Sequence, residues 1–281
     1  VCIADEADVL IPSVNPDALL ILDLSVSMAC NTDDNNCTDL DATHSWSKLY
    51  MAKIAIEQIL DYDGNATINS ADESSLGVRI GYMSFVGCSS DDTGGDWNSG
   101  CNAVRVRFPA PANTPPFASP SRYSDIWSAV NGAVTTNTSY TPLVTAITES
   151  KSYLDDTKNG NTGKSLPVDP YKDCRQKFVI LITDGRDTCS CSGQCWNNNQ
   201  SDNYKRRRNT IKQAKALADA GYKLFVIGFG ASMPAADLNT LNWAAYFGGT
   251  SNPAAAQSGN TNAITVDSDP CRSSSDNDPG N

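Results

Sequence analysis

Hydrophobic residues along this chain follow two different spacings. Near-continuous apolar runs of strand length occur at 18–22, 78–85, 178–183 and 224–228, each bounded by Gly, Asp or Ser. Runs of that kind belong to strands covered on both faces, as in a parallel sheet. Between them the spacing becomes helical. In SKLYMAKIAIEQIL, residues Leu49, Ala52, Ile56, Ile59 and Leu60 share one helical face; in NTIKQAKALADAG, Ile211, Ala214, Leu217 and Ala218 do the same, with Gly221 as C-cap. Further helices are expected at 124–131, 143–154 and 235–247, and AVRVRFPA, alternating apolar and charged residues, reads as an antiparallel edge strand. Strands alternating with helices predict an α/β fold: a doubly wound, mainly parallel central sheet with helices on both faces and right-handed crossovers.

Three polar, cysteine-bearing stretches, 31–46, 87–123 and 186–204, break this rhythm and read as insertions into a single domain whose core spans about 17–266. No internal repeat or linker divides the chain, and 281 residues suffice for one large core. A net charge of −11 and an isoelectric point near 4.5 argue against nucleic acid as a partner and suit divalent cations. The run ALLIL is too short to cross a bilayer, and no signal peptide is visible at Val1, so the sequence reads as an exported, mature product and as part of a longer protein continuing beyond Asn281.

The ten cysteines, Cys2, Cys30, Cys37, Cys88, Cys101, Cys174, Cys189, Cys191, Cys195 and Cys271, form an even set in loop-like surroundings, which points to disulfides and an oxidising compartment. Cys30 with Cys37 and Cys88 with Cys101 would each close a short polar excursion, and Cys2 with Cys271 would tie the termini; spacing alone leaves the connectivity open. The group Cys174, Cys189, Cys191 and Cys195 lacks the paired C-x-x-C knuckles of a zinc site, so disulfides are favoured there too.

Candidate chemistry gathers where apolar strands end. ILDLSVSM carries Asp23, Ser25 and Ser27 on alternate positions after the first strand, and FVILITDG carries Asp184 after a later one. In an open parallel sheet, ligands bind beyond the carboxyl ends of the strands, where the strand order reverses. Thr141, opening a helix in SYTPL, offers a hydroxyl to the same crevice. A role for Asp23 and Asp184 as helix caps, with the serines bonded to the turn, is the plainer alternative.

These residues, Asp23-Leu-Ser25-Val-Ser27, Thr141 before Pro142, and Thr183-Asp184-Gly185, resemble the metal-ion-dependent adhesion site of von Willebrand factor A domains. Tyr140 departs from the glycine often found before that threonine. The resemblance implies that Ser25, Ser27 and Thr141 ligate Mg²⁺ or Mn²⁺ through their hydroxyls, that Asp23 and Asp184 act largely through waters and hydrogen bonds, and that an acidic group of a partner completes the coordination. YTPL, KFVILITDGRDTC and the cysteine-bearing insertions are further similar to the N-terminal region of PilY-type proteins, adhesins of type IV pilus tips. That similarity implies an extracellular, non-enzymatic adhesion module whose partner is a host or surface protein, exported through the periplasm and without direct membrane insertion. Docking a neighbouring pilus subunit is the alternative.

A second candidate ion site follows the first long helix. In DYDGNATINSAD, Asp61, Asp63, Asn65, Thr67 through its carbonyl, Asn69 and Asp72 match the ligand spacing of a calcium loop, with Ile68 at its apolar position. Ala66 stands where glycine normally turns the loop, and Asp72 replaces the usual glutamate. Because Val78 begins a strand, no second helix is expected after the loop, and Ca²⁺ would act as a staple. Its ending resembles the calcium loops of dockerin modules. His44, the single histidine, has no evident nucleophile beside it and reads as a surface residue; Lys205–Arg208, a basic run at a helix start, reads as a solvated face or a supply of internal salt bridges. GFG at 228–230 lacks the rest of a dinucleotide fingerprint and reads as a turn.

Overall fold

A computed structural model describes residues 15–85, 104–106, 122–135, 141–159, 174–185, 200–231 and 233–250. Its strands are β1 (Asp17–Asp23), β2 (Arg79–Phe85), β3 (Val104–Val106), β4 (Lys177–Thr183) and β5 (Lys223–Gly228), in the sheet order β3-β2-β1-β4-β5. β1 pairs in parallel with both β2 and β4, β4 pairs in parallel with β5, and β3 runs antiparallel at the edge, as the AVRVRFPA alternation predicts. Chain order reverses between β1 and β4. The crevice for a ligand therefore lies beyond the ends of those two strands.

The helices are α1 (Lys48–Leu60), α2 (Ser70–Leu76), α3 (Arg122–Asn131), α4 (Leu143–Asn159), α5 (Gln200–Asp219) and α6 (Ala235–Phe247). Side chains alternate across the sheet, so β1 serves two cores. Leu19 and Ile21 pack with Met83, Phe85, Val179 and Leu181 against α4, α5 and α6. Ala18, Leu20 and Leu22 pack with Tyr82 and Ile182 against α1 and α3. This is the doubly wound α/β architecture the sequence predicts.

Three details differ from expectation. A short helix, α2, does follow the loop at 61–69, with Asn69 as N-cap and Asp72 completing a capping box. α5 begins at Gln200, inside the stretch taken as insertion, so Lys205–Arg208 lie within a helix rather than at its start. Ile59, assigned to the buried face of α1, is exposed, while Leu49, Ala52, Ile56 and Leu60 are buried as predicted.

Candidate metal centre

Asp23 is the last residue of β1 and is completely buried. One of its oxygens accepts the backbone N–H of Ser25 at 2.8 Å, and the other accepts the hydroxyl of Thr183 from β4 at 2.6 Å. The chain then bends into a single 3-10 turn, Val26–Ala29. That bend brings the Ser25 and Ser27 hydroxyl oxygens to 3.0 Å from one another. Ser27 donates to Oδ1 of Asp184 at 2.8 Å, closing a ring of oxygens between two neighbouring strand ends. Thr141 is buried just before α4, the helix whose Leu143 packs with Leu19 and Ile21 on the sheet face that Asp23 continues. The structure thus joins Asp23, Ser25, Ser27 and Asp184 by direct contacts and sets Thr141 at the head of a helix on the same face.

Thr183, quoted in the sequence beside Asp184 without a role of its own, holds Asp23. One further residue belongs to this centre that the sequence did not single out. Lys48, the first residue of α1 and buried, donates to Oδ2 of Asp184 at 2.8 Å and is ion-paired with Asp34. A lysine at that place breaks two rules: it lies at the positive end of a helix dipole, and it is removed from water. Both departures make it a poor choice for stability alone.

The electrostatics follow from this inventory. Burial and then the charge of Asp184 push the Asp23 carboxyl up to about 7, against the hydrogen bonds from Ser25 and Thr183. Burial also raises Asp184, opposed by Lys48 and Ser27. Burial depresses Lys48, but Asp184 and Asp34 together outweigh it and hold the ammonium charged. Two buried carboxylates, Asp23 and Asp184, thus flank the neutral hydroxyls of Ser25 and Ser27, and the Lys48 ammonium is bonded to Asp184. The arrangement fits a small divalent cation, since adjacent ligands of an octahedral Mg²⁺ stand about 2.9–3.0 Å apart; the Ser25–Ser27 separation of 3.0 Å matches that edge and is equally an ordinary hydrogen bond.

In the loop after α1, carboxylate oxygens of Asp61, Asp63 and Asp72 lie within 4.8 Å of one another. Asp61 Oδ1 is buried without a hydrogen-bond partner, while Oδ2 accepts the N–H of Ala66 at 2.9 Å. Asn65, Thr67 and Asn69 are engaged locally: Asn65 accepts from Thr67 N at 2.8 Å, and Asn69 donates to the Thr67 carbonyl at 2.7 Å while capping α2. Ala66 adopts φ 61°, the left-handed conformation that glycine serves in calcium loops.

Of the cysteines, Cys30 and Cys37 form the expected bridge, and Cys174 is also disulfide-bonded, which removes a free thiol from a zinc site. Cys2, Cys88, Cys101, Cys189, Cys191, Cys195 and Cys271 lie outside the described residues. His44 is exposed and bonds Asp39 at 3.0 Å.

Fold and site together define an α/β domain with a ring of oxygen donors at the carboxyl edge of its sheet. No protein-family model and no curated protein matches the chain. Among solved structures it is similar to the proximal thread matrix protein 1 of the mussel byssus, at 17% identity over 82% of this chain and a TM-score of 0.45. That protein has also been solved with a zinc-occupied MIDAS motif. Other similar structures are the PilB minor pilin from Streptococcus sanguinis, at 12% identity over 86% of this chain and a TM-score of 0.48, and the manganese-loaded TRAP protein of Plasmodium vivax, at 16% over 78% and 0.40. The chain spans 41%, 57% and 59% of these three proteins respectively. Among the described residues, no helix is long and apolar enough to cross a membrane.

Proposed function

We propose that this protein is an extracellular, non-enzymatic adhesion module that captures an acidic group of a surface or partner protein through a divalent metal, in the manner of a type IV pilus tip adhesin. The observation that carries this reading is the contact chain from Thr183 through Asp23, and from Ser25 through Ser27 to Asp184, across the ends of β1 and β4. Ser25, Ser27 and Thr141 are the residues that would hold Mg²⁺ or Mn²⁺, with Asp23 and Asp184 orienting them. A bound cation supplies positive charge and one exchangeable coordination position. Because the hydroxyls are neutral, they leave that charge partly uncancelled, so a carboxylate from another molecule is attracted to it. Asp23 anchors the Ser25 backbone and Asp184 anchors the Ser27 hydroxyl, so neither serine has to be ordered when the partner arrives.

The sole histidine bonds Asp39, while the Ser25 and Ser27 hydroxyls bond one another and Asp184. In the loop at 61–72, Asp61, Asp63 and Asp72 would hold Ca²⁺ as a staple between α1 and α2. The bridged cysteines support an oxidising location.

The test is attachment of bacteria or beads carrying the protein to a surface coated with acidic protein, with Mn²⁺, with chelator, and with Asp23→Ala. Adhesion lost in both of the last two conditions, with filaments still assembled, supports the proposal. Loss of filament assembly instead supports docking of a neighbouring pilus subunit, and attachment untouched by chelator overturns the metal-dependent reading.

A further inference from the structure

The Lys48 ammonium stands between two carboxylates with different jobs. Asp184 presents Oδ1 to the Ser27 hydroxyl and Oδ2 to Lys48, so the lysine fixes which way that carboxylate faces. Asp34, on the other side of Lys48, sits on the loop closed by the Cys30–Cys37 bridge. That loop is pinned at several points. The Lys48 N–H donates to the Cys30 carbonyl at 2.9 Å, and Asn31 Oδ1 accepts the N–H groups of Asn35 at 2.9 Å and Asn36 at 3.3 Å. Ala231, just past β5, donates to the Thr32 carbonyl at 3.2 Å. Gly230 passes close enough that a Cβ there would lie 3.7 Å from Lys48 Nζ. The ammonium is thus enclosed by the disulfide loop, the β5 exit and Asp184.

Neither Lys48 nor Asp34 is among the candidate metal ligands. We propose that Lys48 serves as the resident cation of the centre, competing with an incoming metal, and that Asp34, held over it by the Cys30–Cys37 bridge, sets how much of that charge the cation site feels. This rests on the metal reading above. Asp34 draws positive charge away from the site and favours an incoming cation; Lys48 opposes it. Opening the bridge frees Asp34 and weakens the site, so oxidation of one cysteine pair keeps the centre competent.

Mn²⁺ binding measured by calorimetry on the full chain tests this, using wild type, Lys48→Met, Asp34→Asn and the double variant Cys30→Ser, Cys37→Ser. The two charge variants move affinity in opposite directions: Lys48→Met tightens it about tenfold, and Asp34→Asn weakens it about threefold. The cysteine variant behaves like Asp34→Asn. A merely structural role would weaken binding in every variant, and that result overturns the inference while leaving the metal reading intact. Should Lys48→Met fail to fold, Lys48→Gln takes its place: tighter binding there beside weaker binding in Asp34→Asn supports the inference, and unchanged or weaker binding there overturns it. Wild type that takes up no Mn²⁺ defeats the metal reading and this inference together.

Discussion

β1 buries an aspartate at each end, and the two are treated in opposite ways. Asp17, at the start, is met by Lys177 at 3.0 Å, Arg79 at 3.3 Å and Arg175 at 3.6 Å. Asp23, at the finish, is met by a backbone N–H and a hydroxyl, with a second carboxylate beyond them. Burial raises both carboxyls, but the neighbours of Asp17 pull it down while Asp184 pushes Asp23 further up. One residue type on one strand therefore does two things. Surrounded by cations it fastens the strand entrances together; deprived of them it leaves negative charge for something outside the chain to neutralise.

The sharpest test of that contrast is to remove each charge in turn. Asp17→Asn removes the carboxylate shared by buried Lys177 and partly buried Arg79 and Arg175 and should cost about 3–5 kcal/mol in urea unfolding. Asp23→Asn, measured in chelator, should change stability by about 1 kcal/mol or less, because it relieves repulsion with Asp184. Equal losses from the two would break the comparison. Next in size, Mn²⁺ at about a hundred times its dissociation constant should stabilise wild type by about 2.7 kcal/mol, visible as a rise in melting temperature. Asp23→Asn and Ser25→Ala should abolish that rise.

A smaller effect concerns pH. The folded Asp23 carboxyl holds its proton more tightly than the unfolded one, so the metal-free protein should lose stability as pH climbs from about 4 to about 7 and level off above. Mn²⁺ should flatten that slope, read by urea midpoints across the range. The smallest change is Ala66→Gly, which releases the left-handed strain of φ 61° and should add up to about 1 kcal/mol to the unfolding free energy.

The framework was legible because its strands advertise themselves as apolar runs; β1 and β2 are covered on both faces as that pattern implies, whereas β5, read the same way, leaves Phe225 and Ile227 exposed. Even the three-residue edge strand β3 shows in the alternation around Val104–Val106. α2 was not legible as a helix, since SADESSL has no apolar stripe and its best signal, Asn69 followed by Asp72, was absorbed by the calcium-loop reading. The start of α5 was hidden for the same reason: Lys205–Arg208 carries no hydrophobic period.

At the centre, Asp23, Ser25, Ser27 and Asp184 were readable from their place after strands. Lys48 was not. It is 136 residues from Asp184 in the chain, and only its odd position at a helix start hints that a distant carboxylate must compensate it. Asp34 was concealed in a stretch that looked like surface insertion, and the cations around Asp17 come from two separate segments, Arg79 at the start of β2 and Arg175 with Lys177 at the start of β4.

The central position of β1 also has a mechanical side. It is laced to β2 over seven residue pairs and to β4 over six, all in parallel register. A tug on Asp23 along the strand axis loads both ladders in shear at once, so many backbone hydrogen bonds share the force and none can be peeled open singly. A grip placed at that strand end is anchored to the central strand of the sheet, held on both sides.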